Sequence, residues 1–521
     1  MKLKLALAGL VLAATPAHAD WYEAETANFI VKSRASEEDA RAYALELARF
    51  DEVLRALQGM DDSEFGKSRA NKVTVYRFGR PDDIAALLGS RRSGVAGFFI
   101  SRAGASVGFA PTKGRQEQVK SAHRTRSDVE LDPVRVLFHE YTHYFMMQNF
   151  PGAYPRWYVE GFAELMATTR IEEDGAYHVG DPPQYRAYQI FQMRDFPLEE
   201  MLDQDYELQG SDALQHYATG WLLTHYLSFN ADGFTALRTY LKALAGGENS
   251  LEAARKYLGD LDALETQLSK YKKGPFPGIN VKHDGNPIEV RMRKLSAAEE
   301  DAMSVEMELA RGAGVKKAEG LIRDLEKLIA RHGPDADLLE LLAAAQLSAE
   351  QYEAADKTGE QLIGVEPENS LGWLARTYAA IGRIKEDEGM AEAARKFATK
   401  ASALDREDPR PLLAYYMTYV RSGDAVPETA AVALETAYPY AGTDVGYRIL
   451  LARQLLVENQ LPTAKMVLMP VAFRGHKTAE PEDESDPTLS RVLKLVDSGD
   501  RDGALAMVDR MLKDEEDDGE G

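Results

Sequence analysis

The run His139-Glu140-Tyr141-Thr142-His143 constrains this chain more than any other part of it. Residues four apart lie on one face of an α-helix, so a helical run turns both imidazoles toward a single metal ion. Glu140 then reaches a water at that ion as a general base. The flanking residues predict the helix. Asp132 suits the N-cap, and Pro133 suits the first helical position, where a missing N–H costs nothing. Val134, Leu137, Phe138, Tyr141, Tyr144 and Phe145 recur at spacings of three and four, with no breaker before Pro151-Gly152.

A catalytic zinc site takes three protein ligands and leaves one position open. After Pro151-Gly-Ala-Tyr-Pro155 a second helix is predicted from Arg156, carrying Glu160 and, one turn later, Glu164. The intervening chain lets this helix return antiparallel, which makes Glu160 the candidate third ligand. Glu164 is the candidate acceptor for the outward N–H of a ligand histidine, a contact that fixes the tautomer and raises basicity. Gly161 permits a close helix approach, although glycine inside a helix costs about 1 kcal/mol relative to alanine.

His139-Glu140-x-x-His143 followed by Glu160-Gly-Phe-Ala-Glu164 resembles the gluzincin metallopeptidases. It resembles more closely the peptidase-MA-like proteins of the bacterial DUF1570 type, often joined to tetratricopeptide repeats. The specific match spans residues 130–230, with a weaker match before it. The resemblance implies an α+β zincin-like metallopeptidase fold, with Zn2+ held by His139, His143 and Glu160. It also implies Glu140 as base, Glu164 in support, and a peptide or protein substrate. The interval from His143 to Glu160 is shorter than in the thermolysin-like and aminopeptidase branches, so neither substrate preference carries over.

Peptide hydrolysis also needs a donor near the developing oxyanion. A third helix around Gln215-His216-Tyr217 offers two, and adjacent helical residues face about 100° apart, so they do not serve together. Similar proteins carry a tyrosine near the start of this helix, which favours Tyr217 over His216. His225, later in the same helix, is expected to pack in the interior.

The chain begins with Lys2 and Lys4, an apolar stretch from Leu5 to Ala14, and Ala17-His18-Ala19, the pattern of a signal peptide over residues 1–19. The apolar run is short for a membrane span. The expected location is the bacterial periplasm or the exterior, with no stable membrane insertion. With 62 basic and 84 acidic residues the formal charge is −22, which argues against nucleic acid and anionic membrane surfaces as partners.

Residues 20–270 read as the zincin-like unit. Strands are expected at Asn28-Phe-Ile-Val31 and Lys72–Phe78, a long helix over Glu37–Leu57, a short one over Asp82–Leu88, and a hairpin from Ala96–Ile100 and Ser106–Ala110. The resemblance implies that a sheet edge beside the zinc helix receives an extended substrate by strand addition; the sequence does not identify which strand is that edge. Turn residues mark 271–294 as a linker. Residues 295–475 read as an all-α tetratricopeptide-like domain, from offsets near the period of about 34 residues and from small and aromatic residues at matching places. Residues 476–521 are expected to be an acidic linker and a C-terminal helical segment with a disordered tail.

Two functional classes follow. One is an exported zinc-dependent peptidase whose helical repeats bind a partner or substrate. The other is a noncatalytic periplasmic interaction scaffold that retains a degenerate or structural metal site.

Overall fold

The computed structural model describes residues 20–517, apart from 62–66, 90–96, 113–114, 121–125, 153, 205, 207, 209, 211, 283–286 and 473–487. The expected signal segment 1–19, the acidic stretch 480–487 and the end of the tail lie outside the described residues. A mixed α/β region comes first and an all-α, repeat-like region follows.

The first region opens with β1 (Tyr22–Glu25), β2 (Phe29–Ser33), α1 (Glu37–Leu57), β3 (Val73–Arg77), α2 (Pro81–Leu87), β4 (Phe98–Ile100) and β5 (Val107–Ala110). The hairpin β6 (Arg115–Lys120) and β7 (Arg126–Leu131) leads into α3 (Pro133–Asn149) and α4 (Arg156–Ala167). Next come β8 (Arg170–Ile171), β9 (Tyr177–Val179), α5 (Ala187–Gln192), α6 (Leu198–Leu202), α7 (Ala213–Ser228), α8 (Ala231–Ala245), α9 (Ser250–Tyr257) and α10 (Leu261–Tyr271). Then follow β10 (Ile279–Val281), β11 (Arg291–Lys294) and α11 (Ala297–Arg311).

Six strands form one sheet in the order β11-β1-β2-β3-β5-β4. The centre is parallel, β2 with β3 and β3 with β5, while β1, β11 and β4 pair antiparallel toward the edges. Side chains alternate between the faces of a strand. Phe29, Val31, Val73 and Val75 therefore join Leu47 and Phe50 of α1 and Phe138 of α3 in the main core. Tyr76, Val107 and Phe109 point the other way, against Ile84 of α2 and Met303 and Met307 of α11. Phe50 and Phe138 stack with ring centroids 3.8 Å apart, tying α1 to α3. Both faces of the sheet are covered, as a sheet with parallel strands at its centre requires.

Residues 271–294 differ from the expected linker. Arg291–Lys294 pairs with β1 and completes one edge of the main sheet, and Ile279–Val281 pairs with β9. Strand pairing satisfies backbone groups that the turn-rich composition of this stretch does not advertise.

From Ala297 to Asp517 the described chain is helical hairpins. Ala336–Ser348 pairs with Tyr352–Val365, and Ser370–Gly382 with Gly389–Leu404. Small residues let the helices approach closely: a Cβ on Gly359 would lie 2.8 Å from the Gly372 carbonyl oxygen. This helical region is fastened to the sheet region. Arg102 donates to the carbonyls of Ala310 (2.6 Å) and Arg311 (2.9 Å), capping the C-terminus of α11. Ala103 N–H donates to Asp444 (2.8 Å), and Ser68 N–H donates to Glu407 (2.8 Å). Among the described residues no helix is long and apolar enough to cross a membrane.

Candidate metal centre

The helix that carries the histidines begins where its sequence dictates. The Asp132 side chain accepts from Val134 N–H at 3.0 Å, and Pro133 occupies the first helical position. Leu137, Phe138, Tyr141, Phe145 and Met146 are buried, which turns His139, Glu140 and His143 to the opposite, half-buried side. Tyr141, between the two histidines, donates its hydroxyl to Asp51 of α1 at 2.7 Å. Asp51 is 1% exposed and also accepts from Asn28 and Arg55, so a buried charge with three donors fixes the rotation of α3 about its axis.

α4 returns against α3 and brings Glu160 to the histidines. His139 Nε2 lies 3.3 Å and His143 Nε2 3.6 Å from Glu160 Oε2, and the two Nε2 atoms are 3.1 Å apart. The imidazole planes cross at 87°. Two nitrogens and one carboxylate oxygen thus converge on one point, a cluster able to chelate a metal ion. Glu160 is 0% exposed. Burial alone raises a carboxyl pKa, but the charge of His143 and hydrogen bonds from both histidines hold Glu160 well below the ordinary range. For His139, burial works against the charged ring, yet the Glu160 hydrogen bond and the charges of Glu164, Glu160 and Glu140 push its pKa up to about 9. The surroundings are electron-rich and favour a cation at this point. The chemistry of the donor set, two imidazoles and a carboxylate, fits zinc or a similar divalent ion.

α7 packs across α4 and is buried on nearly every side. The approach depends on two glycines. A Cβ on Gly161 would collide with the Gly220 carbonyl and the Thr224 hydroxyl, and one on Gly220 would sit 2.8 Å from the Trp157 carbonyl oxygen. This crossing brings the start of α7 near Glu160. His216 is buried edge-on against Phe196, with ring centroids 5.6 Å apart. Burial, then the Arg156 charge, pull its pKa down to about 4, so it is a neutral ring at ordinary pH. Tyr217 is half-buried, near enough to Arg156 and Arg186 for both charges to act on it, and covered by the Arg186 guanidinium at 5.3 Å. Burial, then the Glu160 charge, raise its pKa, against the opposing influence of Arg156.

Glu164, expected to accept from a ligand histidine, has its hydrogen-bond contacts elsewhere. Its carboxylate accepts from Tyr185 at 2.6 Å and from Arg186 at 3.0 and 2.8 Å, rather than from a ligand histidine. Its charge still acts on His139 through space. His225 lies in the interior between Gly180 O and the Tyr271 hydroxyl, each at 2.9 Å. Arg156 and Arg186 are the residues that the sequence did not single out. Arg156 carried a signal, lying one helical turn before Glu160 on the same face. Arg186 carried none, because it comes from a segment without periodicity.

Fold and site together define a protein with a mixed α/β region that holds a buried His-His-Glu cluster, joined to an all-α repeat-like region. The chain matches no protein-family model and no curated protein. Among solved structures, a thermophilic TPR protein of Thermus thermophilus bears a distant likeness, at 18% identity and a TM-score of 0.29. That likeness covers 33% of this chain and 88% of the other.

Proposed function

We propose that the protein is a zinc-dependent peptidase of zincin-like fold, with His139, His143 and Glu160 as ligands. The observation that carries this reading is the convergence of the two Nε2 atoms on Glu160 Oε2, with Glu140 next to the first ligand on the same open side of α3. Zinc at this point would supply polarisation of a peptide carbonyl and acidify the attacking water. Glu140 takes the water's proton and returns it to the leaving amine. Tyr217 donates its hydroxyl hydrogen to the developing oxyanion, and the nearby Arg156 charge favours that hydroxyl as a donor.

The substrate lies extended along β4, the last strand of the sheet order. A Cβ on Gly97, just before β4, would lie 3.3 Å from Val136, and His139, Glu140 and His143 follow Val136 on the same helical face. β4 therefore starts beside the ligand-bearing side of α3. The helical repeats select or position the partner or substrate.

The rival reading is the noncatalytic interaction scaffold, in which the metal cluster is structural. It is favoured by the full burial of Glu160 and by the firm attachment of the helical region to the sheet. A peptide-library digestion with metal-loaded wild type and Glu140→Gln separates the two. The peptidase reading expects cleavage by wild type that falls about a thousandfold or more in the variant at equal metal content. Metal binding by both without cleavage by either would establish the scaffold.

A further inference from the structure

A cavity lies at the opposite end of α3 from the turn into α4. The connection leaving the carboxyl end of β2 runs to α1 on one face of the sheet, and the connection leaving β3 runs to α2 on the other. Where neighbouring parallel strands send their connections to opposite faces, a crevice opens beyond their carboxyl ends, the usual ligand position in open α/β sheets. Here that region holds a cavity of about 340 Å³. It is lined by Tyr43 of α1, Arg77 at the end of β3, Thr112 beyond β5, and Asp132 and Val134 at the start of α3.

Among the described residues, its inner polar groups have no hydrogen-bond partner. Arg77 lies over the Tyr43 ring at 4.6 Å, yet its Nε and Nη1 are buried and make no hydrogen bond. The Tyr43 hydroxyl is also buried without a partner, in a residue only 4% exposed. Buried donors of this kind destabilise the fold when unmet, and more so when charged. Thr112 is committed to Gly79 O at 2.8 Å and adds no free donor. Among the described lining residues the negative charge is Asp132, exposed, with one oxygen capping α3. Glu46 lies close enough to feel both charges: burial and Asp132 raise its pKa, while Arg135 and Arg77 lower it. The cavity therefore presents unmet cationic and phenolic donors at its inner end and a carboxylate at its rim.

We propose that this cavity binds a small zwitterion of the α-amino-acid class, its carboxylate on Arg77 and Tyr43 and its ammonium group toward Asp132. Charge-assisted hydrogen bonds from a guanidinium give such a carboxylate its affinity, and Asp132 at the rim discriminates against simple anions. The site shares no residue with the metal centre, and its test does not depend on hydrolysis.

Isothermal titration of the full chain with L-alanine, glycine, acetate and methylamine reads it directly. Both amino acids should bind, and acetate and methylamine should each bind about tenfold more weakly or worse. Arg77→Gln should weaken alanine binding about tenfold or more, and Tyr43→Phe, which keeps the packed ring, by severalfold. The absence of binding by either amino acid would overturn the proposal. So would acetate binding as tightly as alanine, or unchanged affinity in folded Tyr43→Phe and Arg77→Gln.

Discussion

Gly161 of α4 lies against the backbone carbonyl of Gly220 of α7, and no β-carbon fits between them. The crossing sets the distance between the helix that supplies Glu160 and the helix that supplies Tyr217. Alanine at either position forces the helices apart, because a backbone carbonyl, of Gly220 or of Trp157, opposes it and cannot rotate away. Overpacking of this kind costs about 1–3 kcal/mol. Gly161→Ala should lower the unfolding midpoint and weaken metal binding together, measured by thermal melts and competitive zinc titration. An unchanged midpoint would show that the helices separate without cost.

The Tyr141–Asp51 hydrogen bond predicts a different outcome. Tyr141→Phe keeps the buried ring but leaves Asp51 with Asn28 and Arg55 as its donors. The loss should be about 1–2 kcal/mol, seen as a lower denaturation midpoint with an unchanged denaturant slope.

Glu164 and Arg186 form an ion pair in which the carboxylate is 1% exposed. Removing one charge from a buried pair costs about 3 kcal/mol or more. Glu164→Gln should show this in denaturation and should disturb Tyr217 under the Arg186 guanidinium, while the metal stoichiometry stays the same. A drop of about tenfold or more in metal affinity with no loss of stability would instead place Glu164 in support of a ligand histidine.

His225 supplies a pH dependence. Burial pulls its pKa down to about 4, below the ordinary histidine value, against weaker opposing hydrogen bonds to the backbone at Gly180 and Pro277. Between that value and about 6.5 the unfolded chain takes up a proton that the folded chain refuses. Its contribution is complete above about pH 6.5 and lost as pH falls toward 4. Melting temperatures of the wild type should therefore fall across this window, and His225→Gln should show a shallower fall.

Much of the fold was legible because its signals are local. The helix Glu37–Leu57 and the start of α3 at Pro133 follow from periodicity and from the Asp132 cap. The hairpin of β4 and β5 follows from two apolar runs around turn residues. The histidine pair was legible for the same reason, since its spacing is a property of one helix. Contacts between distant elements were not. Nothing in Arg291–Lys294 says that it will pair with Tyr22–Glu25, and nothing near Arg186 says that it will meet Glu164. Gly161 announced a close approach, but its partner Gly220 lies on another helix, and only packing identifies it. The surroundings of His216 and Tyr217 were likewise not legible, because Phe196 and Arg186, which contact the two rings, come from elsewhere in the chain.

The most direct test is the zinc content of the purified chain after exhaustive dialysis, measured by elemental mass spectrometry for wild type, His143→Ala and Glu160→Gln. The account predicts near-stoichiometric zinc in the wild type and little in either variant, since each removes one of three ligands. No zinc in the wild type after reconstitution at neutral pH, or equal zinc in all three proteins, would contradict it.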